Sequence, residues 1–147
     1  MEYNEAEFLF EVEVPQDELI VSRTDLNGII TYANDLFIQI SGFTKDELIG
    51  QSHNIVRHPD MPKEIFNTLW NTIKDEKKWN GNVKNLRKDK SFYWVNATIS
   101  GVYKDGKLVE YKSIRVPITN KEKLESLKKY DKLKLENGEK QRHIIYK

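Results

Sequence analysis

The back half of the chain sets the narrowest limit on its fold. Residues 79–86 open a strand, residues 91–101 run as a strand rich in aromatic and β-branched side chains, and residues 108–118 return, separated by Arg87-Lys88-Asp89-Lys90 and Lys104-Asp105-Gly106-Lys107. Turn formers between such runs predict a meander of neighbouring strands, because a short turn joins only antiparallel partners. A further hairpin is written near the front. Leu19-Ile20-Val21-Ser22-Arg23-Thr24 is β-rich, Asp25-Leu26-Asn27-Gly28 makes a turn with a glycine available for positive φ, and residues 28–32 return. Strands grouped in hairpins, without regular alternation with helices, predict an α+β domain. Its antiparallel sheet would carry helices on one face and enclose a pocket beneath them.

The helices are marked by their ends. Asn34 can cap a short helix over 35–41, with Leu36, Phe37 and Ile40 on one face and Gly42 as the stop. Thr44 followed by Glu47 is a capping box ahead of Leu48-Ile49-Gly50. A longer helix over about 62–76 begins near Pro62, and Ile65, Phe66, Leu69, Trp70 and Ile73 form a stripe expected to be core. At the front, Phe8-Leu9-Phe10-Glu11-Val12-Glu13-Val14 ends at Pro15. Its last residues alternate like a strand and its beginning could start an amphipathic helix, so it is expected to cap a sheet or a dimer interface. From Asn120 onward, Leu124, Leu127, Leu133 and Leu135 are scattered among lysines and glutamates, as in an amphipathic helix that leaves the domain and needs a partner face. The expected division is an N-terminal cap segment at 1–18, one domain at 19–119, and a C-terminal helix and linker at 120–147.

Composition narrows the function. With 147 residues there is room for one domain, and 24 Lys+Arg against 23 Asp+Glu leave a net charge of +1. No global field argues for nucleic acid or a membrane surface, so function must come from a local site. The chain has no cysteine, which excludes a disulfide frame, a thiolate metal site and a thiol nucleophile or adduct-former. No apolar run approaches the roughly 20 residues of a membrane span. The acidic start, Met1-Glu2-Tyr3-Asn4-Glu5, is unlike a signal peptide, so the expectation is a soluble, cytoplasmic protein.

The densest chemistry lies in His53-Asn54-Ile55-Val56-Arg57-His58-Pro59-Asp60-Met61-Pro62. Pro59 and Pro62 fix φ and push the residues before them toward extended conformations, giving a stiff, irregular segment that carries imidazole, guanidinium and carboxylate groups. A stiff loop on a scaffold is a common ligand-facing device; the plainer alternative is a solvated connector in which Asp60 caps the next helix. His53, His58 and Asp60 make a weak metal set, interrupted by proline and without a further donor at helical spacing. No nucleophile, base and orienting group stand together, and no glycine-rich phosphate loop is visible, so an enzyme is not expected.

Residues 24–34, with Ser41-Gly42-Phe43 and Glu47-Leu48-Ile49-Gly50, resemble the front half of a PAS domain, and Tyr93-Trp94-Val95 and Tyr111-Lys112-Ser113-Ile114-Arg115 resemble its back strands. Within that family, the segment 53–62, followed by Trp79-Asn80-Gly81 and Val83-Lys84-Asn85, resembles the FAD-binding PAS domain of bacterial aerotaxis and energy-taxis receptors. The resemblance covers about residues 19–120. It implies a five-stranded antiparallel sheet with short helices on one face, a non-covalently bound FAD whose redox state reports respiratory electron flow, and no substrate turned over. It further implies a chemotaxis receptor or signalling domain as partner, in cis or in trans, with a homodimer left open. By the same resemblance, Asn85 would pair with the pyrimidine edge of the flavin. Arg115 stands where light-sensing flavin PAS domains carry glutamine, and its fixed charge favours a negatively charged reduced flavin. Arg57 and His58 are candidates for the pyrophosphate or the ring edge, Asn34 and His53 for orienting that wall, and Trp79 for stacking. The competing plain roles are helix capping for Asn34 and core packing for Trp79. A haem held by a histidine and a cofactor-free dimerisation module are the alternative readings.

Overall fold

Both front strands form: β1 (Ile20–Thr24) and β2 (Ile30–Ala33) pair antiparallel in the computed structural model, which describes residues 10–141. Phe8 and Leu9 of the N-terminal apolar run lie outside the described residues. Asp25 closes the turn, its Oδ1 accepting from the backbone N–H groups of Asn27 and Ile29 at 2.9 and 3.0 Å. Gly28 has a φ of +82°, and a Cβ there would stand 2.8 Å from the Trp70 ring, so both backbone and space call for glycine. The meander is β3 (Trp79–Leu86), β4 (Phe92–Lys104) and β5 (Lys107–Val116). β5 also pairs with β1, which joins the two halves into one five-stranded antiparallel sheet of order β2-β1-β5-β4-β3.

The helices between the two halves cover one face of this sheet. α1 (Asp35–Ser41) begins where Asn34 Oδ1 accepts from the Phe37 N–H at 3.0 Å and ends at Gly42, whose φ is +77°. α2 (Lys45–Leu48) carries the Thr44–Glu47 capping box, and a 3-10 turn follows at His53–Val56. α3 (Lys63–Lys74) starts after Pro62, which offers no side-chain cap. Ile20, Ile30, Phe37, Leu48, Val56, Tyr93 and Val95 are buried between these elements and the sheet. They form the main apolar layer, and its burial is the dominant stabilising contribution.

α4 (Asn120–Glu136) differs from the sequence expectation. It returns to the opposite face of the sheet, where the Tyr130 ring stacks on Trp94 at 6.4 Å and the Tyr130 hydroxyl donates to the Asn82 carbonyl. Asn82 Nδ2 donates to Ser126 Oγ at 3.0 Å. The buried positions are Ser126, Tyr130 and Lys134, one helical turn apart, whereas Leu124 and Leu135 are 57% and 70% exposed. The helix therefore docks through Ser126, Tyr130 and Lys134 with Leu127 half-buried beside them, while Leu124 and Leu135 stay in solvent. The N-terminal segment lies beside it. Val12 N–H donates to the Phe92 carbonyl at 2.8 Å, the Phe92 N–H donates to the Phe10 carbonyl at 3.0 Å, and Glu11 pairs with Lys123 of α4.

Candidate functional site

Small side chains at the centre of the sheet leave room beneath the helices. Ser22 of β1 lies opposite Ser113 of β5, and Ala97 of β4 lies opposite Arg115. Together with Thr24 they floor an open-mouthed cavity. Its walls are apolar, with Val56 from the 3-10 turn, Phe66, Leu69, Trp70 and Ile73 from α3, and Val83 and Ile99 from the sheet. The stripe on α3 that reads as core in the sequence is thus largely a cavity wall: Leu69 and Ile73 are buried, while Phe66 and Trp70 are half-buried. An edge-to-face contact of Trp70 with Tyr111 at 6.2 Å fixes that side.

The polar end of the cavity is built on Arg115. Its side chain is 2% exposed, and it donates through Nη1 to His53 Nε2 at 3.0 Å and through Nη2 to Ser22 Oγ at 2.8 Å. Ser22 Oγ lies 3.0 Å from the same His53 nitrogen, closing a triangle. A guanidinium only donates, so His53 Nε2 must accept and the imidazole is neutral with its proton on Nδ1. Burial, and then the charge of Arg115, push the His53 pKa down to about 3. The Phe37 ring backs both groups, stacked on His53 at 5.6 Å and 4.4 Å from the guanidinium carbon. Burial lowers the Arg115 pKa to about 10, which leaves it charged at neutral pH. No carboxylate touches this cation among the described residues; its contacts are an imidazole, a hydroxyl and an aromatic face. Arg115 Nε has no hydrogen-bond partner among the described residues, and the hydroxyl of fully buried Tyr93 stands beside Asn85. The site is therefore a region of positive potential inside a low-dielectric wall, suited to a ligand that is, or becomes, negatively charged.

Asn85 and Arg57 also line the cavity. Asn85 is 5% exposed on β3 and lines the cavity, and its backbone is bridged to that of Arg57. The bridge carries the irregular segment along the outer edge of β3, so that Arg57 reaches the cavity and lays its guanidinium 3.8 Å over the Phe66 ring. Half-buried Arg57 has its pKa lowered by desolvation, opposed by the Glu139 carboxylate.

Of the residues singled out in the sequence, His53, Arg57, Asn85 and Arg115 come together around this cavity, and Asn34, His58 and Trp79 stand elsewhere. Asn34 is fully used by the backbone: Oδ1 accepts from the N–H groups of Phe37 and Val21, and Nδ2 donates to the Leu19 carbonyl at 2.8 Å. His58 is buried beyond the β3 edge, where its Nδ1 accepts from the Asp60 N–H at 3.0 Å and its ring meets Phe92 edge-on at 6.1 Å. Trp79 is buried with its indole over Gly81, where a Cβ would stand 2.6 Å from the ring. Ser22, Ser113, Thr24, Trp70 and Tyr111 also line the cavity and are not among the site residues read from the sequence. Strand alternation could have grouped Ser22 with Thr24 and Tyr111 with Ser113 and Arg115, but only the β1–β5 pairing shows that they share one floor.

The PAS fold family model matches residues 30–115, more than half of the chain. This chain belongs to the PAS family. Over 106 residues, 72% of its length, it is 49% identical to the aerotaxis receptor of Escherichia coli K12. Over 76% of its length it is 30% identical to the nitrogen fixation regulatory protein of Klebsiella pneumoniae. The chain spans 21% and 23% of those two relatives, so the match is to one module of longer proteins. Among solved structures, the PAS domain of a Colwellia psychrerythraea protein has a TM-score of 0.62 at 25% identity, covering 69% of this chain and 86% of that one. The dark structure of the blue-light photoreceptor Aureochrome1 LOV has a TM-score of 0.66 at 18% identity, covering 76% and 86%, a likeness of fold alone. This PAS domain has the five-stranded antiparallel sheet and short covering helices that the sequence resemblance implies.

Proposed function

We propose that this PAS domain is a redox sensor that binds FAD non-covalently and passes its redox state to a chemotaxis signalling partner, in cis or in trans, without turning over a substrate. One observation carries the reading: Arg115, a buried cation with no carboxylate in contact among the described residues, stands in the same apolar-walled cavity as Asn85. A flavin ring calls for apolar walls with hydrogen-bonding groups at one end, and the Phe66, Leu69, Trp70 and Ile73 wall with Asn85 and Arg115 supports that reading. When bound, FAD supplies reversible electron uptake that leaves negative charge on its ring. Asn85 would pair with the pyrimidine edge, and Arg115 would offset the charge. Ser22 and His53 would hold the guanidinium in place, and Arg57 would meet the phosphates at the mouth. Asn34, His58 and Trp79 lie outside the cavity lining and would act only through the fold.

The haem reading is less well supported. His53 Nε2 is already engaged by Arg115 and Ser22, and His58 Nδ1 by a backbone N–H outside the cavity. Acid release from the purified protein followed by chromatography tests the proposal. FAD is expected, and FMN alone, haem, or nothing from cells with adequate flavin would refute it.

A further inference from the structure

The end of α4 reaches back to the rim of this cavity. Asn137 ends the helix, and Gly138, with a φ of +67°, turns the chain so that its own N–H bonds the Leu135 carbonyl at 3.2 Å and the Glu139 N–H bonds the Lys134 carbonyl at 2.8 Å. This is a Schellman ending, which gives the residues after the helix a defined direction. Here it brings Glu139 back onto the domain. Glu139 is half-buried between exposed Gly138 and Lys140, and its Oε1 accepts from the Lys63 N–H at 3.1 Å. That N–H opens α3, the helix that Pro62 leaves without a side-chain cap. One turn earlier, Lys134 is 2% exposed and donates from Nζ to the Asp60 carbonyl at 3.1 Å. The two contacts fall on Asp60 and on the first residue of α3, just after Arg57, whose pKa is lowered by desolvation and raised by the Glu139 charge.

Resting on the flavin reading above, we propose that the end of α4 is a strap on the cavity rim, in which Glu139 competes with the anionic end of the ligand for Arg57 while Lys134 keeps the strap anchored. An arginine at a cavity mouth can satisfy a protein carboxylate or a ligand phosphate, and each weakens the other by linkage. Filling the cavity with a phosphate-bearing ligand at Arg57 then loosens Glu139 from the start of α3. The chain beyond residue 139 receives that change directly. A ligand with the same ring and no phosphate leaves the strap in place.

The test uses the full chain, freed of flavin and titrated with FAD and with riboflavin. Glu139→Gln removes the competing charge and is expected to tighten FAD about fivefold while leaving riboflavin within twofold, as expected for loss of one local charge. An unchanged ratio of the two affinities overturns the competition. In the flavin-free chain, hydrogen exchange of the Lys63 amide is expected to rise at least fivefold in both Glu139→Ala and Lys134→Met, a local opening with the sheet still protected. An unchanged Lys63 amide overturns the strap. If neither flavin binds the parent protein, the flavin reading and the competition fail together, and the exchange measurement alone decides whether the strap exists.

Discussion

Replacing Arg115 by glutamine should shift the potential of the bound flavin strongly, because it removes a charge that no contacting carboxylate offsets. A ligand in contact with the guanidinium lies about 4–6 Å from its charge, which at an effective dielectric constant of about 20 is worth roughly 3–4 kcal/mol. All of it favours the reduced, negatively charged flavin. For a one-electron couple a factor of ten is about 59 mV, so Arg115→Gln should lower the potential by about 120–180 mV. Spectroelectrochemical titration of parent and variant measures this, with flavin occupancy and circular dichroism followed in parallel. Ser22→Ala is the control. It takes one hydrogen bond from Arg115 and leaves the charge in place, so its shift should stay within about 30 mV. A comparably small shift in Arg115→Gln with flavin bound, or a shift to higher potential, would refute the assignment of Arg115 to the ligand's charge.

Other outcomes follow from the same contacts. Asn85→Ala should lose most of its FAD through a dialysis that the parent survives, because a buried ligand group left unpaired costs about 1–3 kcal/mol; unchanged occupancy with an intact fold would mean that Asn85 does not meet the flavin. Asn34→Ala should cost about 1–2 kcal/mol in urea unfolding through loss of the α1 cap, and leave the absorption spectrum of bound flavin unchanged. His53 binds its proton far less readily folded, at a pKa of about 3, than unfolded, near 6.5. Its contribution is therefore complete above about pH 6.5 and declines as pH falls toward 3, at up to about 1.4 kcal/mol per pH unit. His53→Gln should flatten the stability profile over that window, and an unchanged slope would contradict the neutral, accepting imidazole.

Legibility in the sequence followed the range of each interaction. The Asn34 cap with its Gly42 stop and the Thr44–Glu47 box connect residues a few positions apart, and α1 and α2 stand where those signals put them. Both hairpins follow for the same reason, since turn chemistry is local. Pairing of β5 with β1 spans the chain from Ile20 to Arg115, and no local signal specifies that Ser22 and Ser113 would share a floor. Periodicity identified the apolar stripe of α3 but could not distinguish a filled core from a cavity wall, since both remove Leu69 and Ile73 from water. In α4 the docking face is mostly Ser126, Tyr130 and Lys134, held by a hydroxyl, an aromatic stack and an ammonium group, with Leu127 beside them and Leu124 and Leu135 exposed, so leucine spacing alone did not mark it. Asn85 and Arg115 were found through their resemblance to a family. The triangle that holds Arg115 becomes evident only when β1, β5 and the 3-10 turn come together.

The central claim is that a flavin occupies the cavity between Asn85 and Arg115, and side-chain NMR on ¹⁵N-labelled, flavin-free protein titrated with FAD tests it most directly. The Asn85 amide and the Arg115 guanidinium resonances should shift in step with the visible absorbance of bound flavin, while the Asn34 amide, held by three backbone contacts, stays in place. Saturable FAD binding that moves other side chains and leaves Asn85 and Arg115 unperturbed would contradict the account.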